Sequence, residues 1–198
     1  MKTMKAIMMG LALAMLSGAT MATGNLKLNV ISTGNQKAVV MVTNAALSLY
    51  EVEIKNVEGD VMFYKRTASP GSFYKKTYDF SELNDGTYTL TASVENEKVV
   101  NFLNIDKGNV AVIDQERIVD PIFTLVNNTL KLSYLNYAQE NLLIHLYESN
   151  THRLLFEKEL KPDFAVNYGL NLSNLRNGKY DVVLAVNNRF FEYKVTLD

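Results

Sequence analysis

The chain has 198 residues, with 20 Lys plus Arg against 21 Asp plus Glu, two His and no Cys. A charge balance this close to zero gives no electrostatic hold on nucleic acid or on an anionic membrane. The absence of thiols excludes disulfides, thiolate chemistry and a lipid attached through a Cys.

At the N-terminus, Lys2 and Lys5 precede an apolar run from Ala6 to Leu16, and small residues follow at Ser17-Gly18-Ala19 and Thr20-Met21-Ala22. Such a run is too short to cross a bilayer as a helix, so residues 1–22 read as a secretory signal peptide. Its removal leaves about 176 residues with a net charge of about −3. No later apolar run is long enough to span a membrane, so a soluble mature chain is expected. Export without disulfides points to the bacterial periplasm or cell surface.

Beyond the signal, period-2 alternation of apolar residues between turn residues predicts strands near Leu26 to Ile31, Ala38 to Thr43, Leu47 to Lys55, Val61 to Arg66, Phe73 to Phe80, Tyr88 to Val94 and Val99 to Ile105. Residues 107–119 read as a linker with a small apolar piece, Val110 to Ile113, that adds a strand or packs at the junction. Strands follow near Ile122 to Val126, Leu130 to Leu135, Leu142 to Glu148, Arg153 to Leu160, Val166 to Leu172, Tyr180 to Val186 and Phe190 to Leu197. Turn residues stand between them at Glu58-Gly59-Asp60, Ser69-Pro70-Gly71 and Asn187-Asn188. The expected organisation is a first sandwich over 23–106 and a second over 120–198.

The two halves are copies. Ser81-Glu82-Leu83-Asn84-Asp85-Gly86-Thr87-Tyr88 returns 92 positions later as Ser173-Asn174-Leu175-Arg176-Asn177-Gly178-Lys179-Tyr180, and the same offset aligns Asn35 with Asn127 and Asn44 with Asn136. In each copy a Leu (Leu83, Leu175) anchors a corner, a Gly (Gly86, Gly178) is free to take positive φ, and a Tyr (Tyr88, Tyr180) opens the next strand. That is the pattern of a tyrosine corner, in which the phenol packs inward and bonds the backbone it has just left. Seven short antiparallel strands with this corner before the sixth predict an all-β fold: two tandem immunoglobulin/fibronectin III-like sandwiches, without the Trp or Cys pair of antibody domains.

Asp79-Phe80-Ser81-Glu82-Leu83-Asn84-Asp85-Gly86-Thr87-Tyr88 and its partner in the second copy resemble the Leu-Ser-x-Leu-x-x-Gly-x-Tyr segment of the C-terminal sorting domains of the type IX secretion system in Bacteroidetes. The repeats are also similar to small secreted β-sandwich proteins of that phylum. The resemblance implies a sandwich fold and an accessory or sorting role in a bacterial export system.

Residues that could carry chemistry are few. His145 falls mid-strand and His152 in a turn, with no nucleophile elbow and no HExxH or Cys around them, so neither a catalytic base nor a zinc site is predicted. Asp114, Glu116 and Asp120, at the junction, are the one cluster with metal potential, as oxygen ligands for calcium between the repeats. The bland reading of that cluster is a polar linker, and no metal or cofactor is assigned. No enzyme activity is expected.

Outward positions of equivalent strands differ between the copies. In the first they are Glu51, Glu53 and Lys55 on the third strand and Thr87, Thr89, Thr91 and Ser93 on the sixth, a wet face. In the second they become Leu143, His145, Tyr147, Val183, Ala185 and Phe190 on strands expected to be neighbours. Contiguous apolar and aromatic side chains predict either packing against the first repeat or an interaction surface for a homo-oligomer, a protein partner or a glycan. The expected function is that of a secreted, non-enzymatic binding or structural protein acting through this face. A sorting module and a calcium-dependent or carbohydrate-binding module are the alternatives.

Overall fold

The computed structural model describes residues 26–198, so the signal peptide expected over 1–22 lies outside the described residues. Each regular element among them is a β-strand. In the first repeat these are β1 (Lys27–Gly34), β2 (Lys37–Ser48), β3 (Glu51–Lys55), β4 (Val61–Arg66), β5 (Gly71–Asp79), β6 (Gly86–Val94), β7 (Glu97–Asp106) and β8 (Asn109–Val119). In the second they are β9 (Ile122–Val126), β10 (Thr129–Leu135), β11 (Leu142–Glu148), β12 (Arg153–Leu160), β13 (Ala165–Asn171), β14 (Gly178–Val186) and β15 (Arg189–Leu197). Among the described residues no helix is long and apolar enough to cross a membrane.

The strands assemble in the same order twice. One sheet runs β1-β2-β5 and faces β4-β3-β6-β7-β8; its counterpart runs β13-β10-β9 and faces β12-β11-β14-β15. First, second and fifth strands opposite fourth, third, sixth and seventh is the immunoglobulin/fibronectin III-like arrangement. Alternation along the strands sets which side is buried: Val52 and Ile54 on β3 meet Leu90 and Ala92 on β6 in one core. Leu142 and Ile144 on β11 meet Val182 and Leu184 on β14 in the other. Burying one such Leu or Ile contributes about 1.5–3 kcal/mol.

Both corners close as the sequence predicts. The Tyr88 hydroxyl donates to the Asn84 carbonyl at 2.9 Å and the Tyr180 hydroxyl to the Arg176 carbonyl at 2.7 Å. Leu83 and Leu175 pack against the respective cores beneath them. The glycines differ, however. Gly86 has φ +152°, whereas Gly178 is not among the positive-φ residues. The positive φ is therefore confined to the first of two otherwise similar turns.

The other departures lie at strand ends and at the junction. Leu47 and Ser48, expected to open the third strand, instead finish β2, where Ser48 pairs with Gly71. The stretch read as a linker, 107–119, is mostly strand: β8 runs antiparallel to β7 from Asn109 opposite Asp106 to Val119 opposite Glu97. Its polar residues are structural. Gln115 Nε2 donates to the Asn101 side chain at 2.6 Å and to the Leu28 carbonyl at 3.3 Å, and an Arg117 guanidinium nitrogen donates to the Leu26 carbonyl at 2.7 Å. The side chains of β8 thereby satisfy a carbonyl of β1 and that of Leu26 just before it, across from their own sheet.

Candidate functional site

The outward face of β12-β11-β14-β15 gathers the residues singled out in the sequence. Register places Leu143 opposite Ala185 and Ala185 opposite Phe190, so these three make one row across the sheet. The next row is Glu157, His145, Val183 and Glu192, and the one after it sets Tyr147 beside Asp181 and Lys194. All six predicted residues thus share one face of one sheet.

Their exposure is uneven. Phe190 is 72% exposed and Leu143 39%, so the first repeat does not cover this row. Ala185, expected to be exposed, is buried at 8%. A methyl side chain between two large in-register neighbours lies beneath them, so Ala185 is the floor of the patch.

His145 and Tyr147 stack with ring centroids 5.9 Å apart, and the imidazole Nε2 lies 3.1 Å from a Glu157 carboxylate oxygen. The stack and the carboxylate contact fix the orientation of both rings. They set no nucleophile beside a base, which acyl transfer would require.

The acidic junction is a set of tied side chains. Glu116 accepts from Arg189 at 2.8 Å, a bond from the last strand of the first repeat to the second. Arg189 also pairs with Glu140, and the Asp120 N–H donates to the Asn96 carbonyl at 2.8 Å. Among the described residues no three His, Cys, Asp or Glu side chains come together to hold a metal, so Asp114, Glu116 and Asp120 do not form the calcium cluster considered from sequence.

The wet face of the first repeat holds something the sequence did not signal. Above β3, β4 and β6 lies an open cavity of about 680 Å³, with Glu51, Glu53, Tyr64, Arg66, Thr91 and Lys98 on its walls. Alternation shows that these residues point outward but not that the sheet is concave there. Two carboxylates in a hollow could serve glycoside hydrolysis. Here each is bound to a cation, Glu51 to Arg66 at 3.4 Å and Glu53 to Lys55 at 2.7 Å.

Comparisons with known proteins bear on the first repeat most directly. No curated protein matches the chain. Among solved structures it is similar to the tetra-tandem repeat in the extending region of a large adhesion protein, at 19% identity over 88% of this chain and 49% of that one, TM-score 0.29. It is also similar to the human OSCAR ligand-binding domain (8% identity, 87% and 97% covered, TM-score 0.26) and to the BSP domain of a biofilm-associated protein (14% identity, 86% and 29% covered, TM-score 0.28). The chain spans about half the length of the first of these. Residues 26–106 match the family model described as the secretion system C-terminal sorting domain, the family that the Leu83-Gly86-Tyr88 corner resembles.

Proposed function

We propose that this chain is a secreted, non-enzymatic binding or structural protein of the periplasm or cell surface, acting through the outward face of β12-β11-β14-β15. The match of residues 26–106 to a secretion sorting domain supports export. The row Leu143, Ala185, Phe190 carries the reading of the surface: two large exposed apolar side chains flank a buried Ala in register on an open sheet, where the first repeat has Glu51, Ser93 and Lys98. The aromatic rings Phe190, in the row, and Tyr147, two rows away, are residue types enriched at interfaces.

The test is the variant Leu143→Asp with Tyr147→Asp, measured for thermal stability and for co-sedimentation with cells of the producing bacterium. Unchanged melting with lost co-sedimentation is the expected result. Co-sedimentation equal to that of the unsubstituted chain, or a collapse of the melting temperature, would overturn the role of this face.

A second reading, a sorting module of the export apparatus, is favoured by the same family match. It predicts that residues 26–106 fused behind a reporter carry the reporter out of the cell, and a retained reporter removes it.

A further inference from the structure

We propose that β15 is a pairing edge and that a second copy of this chain docks on it antiparallel, about a two-fold axis through Tyr193. The role is separate from that of the sheet face, because it uses backbone at the rim of the sheet.

The two repeats treat the same edge differently. In the first, the seventh strand β7 is covered along its length by β8, whose Gln115 and Arg117 bridge to the Leu28 and Leu26 carbonyls in and just before β1. In the second, among the described residues, the seventh strand β15 pairs with β14 alone and β9 with β10 alone. The space that corresponds to β8 is a cavity of about 550 Å³ between the segment Asp120 to Phe123 and the segment Phe190 to Tyr193. The first repeat buries Asn101 there under Gln115; the second has Tyr193 at the equivalent position, stacked on Phe123 with centroids 5.2 Å apart. An edge of nine residues beside an aromatic trough is a template for another strand.

Charge pattern identifies the occupant. Along β15 the outward residues are Phe190, Glu192, Lys194 and Thr196. Residues directly opposite in an antiparallel pair share a sheet face, so a two-fold that keeps both cores on one side passes through a residue and not between two. An axis through Glu192 or through Lys194 sets like charges against each other. An axis through Tyr193 sets Glu192 against the partner's Lys194 on both sides, Phe191 against the partner's Val195, and Phe190 against the partner's Thr196. Two opposite-charge pairs form and no like-charge pair does. Within one chain Glu192 and Lys194 lie 3.8 Å apart with side chains 54% and 81% exposed, so both are free to repartner. The antiparallel sense is the one in which β8 already adds to β7.

The experiment is the solution mass of the full chain across a concentration series, by light scattering and sedimentation, for the unsubstituted protein, Glu192→Lys, Lys194→Glu and the double swap. A dimer is expected, with each single substitution raising its dissociation constant about tenfold and the double swap restoring it. A monomer at every concentration, single variants that dimerise normally, or a double swap that fails to restore pairing would each overturn the proposal. So would a dimer abolished by Leu143→Asp with Tyr147→Asp yet indifferent to the swap, because association would then run through the sheet face.

Discussion

Asp79 and Asn171 occupy equivalent places in the two repeats, and the side-chain oxygen of each accepts the backbone N–H two residues on, from Ser81 at 3.0 Å and from Ser173 at 2.9 Å. One corner is thus capped by a carboxylate and the other by an amide, and only the first can titrate.

The consequence is a pH dependence at the first corner that the second corner lacks. Hydrogen bonds from the Ser81 hydroxyl, then from its backbone N–H and from Lys37, lower the Asp79 carboxyl from the ordinary 3.8 to about 2. A depressed folded-state pKa contributes stability that is present above the unfolded value and lost as pH falls through the folded one. Melting curves between about pH 4 and pH 2 should show Asp79→Asn losing less stability on acidification than the unsubstituted chain. A variant that tracks the parent over that range would contradict the assignment.

The unlike glycines give a second expectation. Alanine at Gly86, held at φ +152°, should cost about 1–3 kcal/mol in urea unfolding. Alanine at Gly178 would meet only the Tyr180 ring, at ordinary contact distances of 3.7–3.8 Å, and should change stability by less than about 0.5 kcal/mol.

The corner tyrosines should behave alike. Tyr88→Phe and Tyr180→Phe each remove one hydroxyl bond to a backbone carbonyl and leave the ring in place, at a cost of about 1 kcal/mol each. The two sit in separate cores, so the double variant should show additive losses by chemical denaturation.

Asn136 should matter more than its counterpart Asn44. It is fully buried, donates to the Glu140 carbonyl at 2.9 Å and accepts the Glu140 N–H at 3.0 Å, closing the loop between β10 and β11. Replacing it with Ala leaves that carbonyl and N–H unpaired and should cost about 1–3 kcal/mol. Half-buried Asn44 bonds Ser48 and the Ala45 N–H, and Asn44→Ala should cost about 1 kcal/mol.

Much of this architecture was legible in the sequence because buried and exposed residues alternate cleanly. Strands β9, β11 and β12 lie where the alternation places them, and the corner residues announce the seam before the sixth strand. The apolar start of β8, Val110 to Ile113, was legible as a piece that adds a strand or packs; its polar half was hidden because Gln115 and Arg117 do a strand's work with polar side chains, satisfying the Leu28 and Leu26 carbonyls instead of filling a core. That pattern is indistinguishable from a solvated linker in a periodicity reading. The backbone of Gly178 was illegible for another reason: a glycine permits positive φ without requiring it. Of the candidate surface, sequence showed which residues face outward. It did not show that Ala185 sits below its neighbours, that the first repeat's polar face is hollow, or that the edge beside Tyr193 is open, since each depends on sheet shape and on what lies across the gap.

The bond between Arg117 and the Leu26 carbonyl also fixes how the first repeat would carry load. The polypeptide leaves this sandwich at the spot where it came in, so its two ends are fastened together like the neck of a drawstring bag. A pull between the N-terminal side and the second repeat acts first on that neck and then peels β8 from β7 one rung at a time, while the core of Val52, Ile54 and Leu90 stays out of the line of force. Among the described residues the second repeat shows no such fastening, so under tension the two halves of one duplication would yield by different routes.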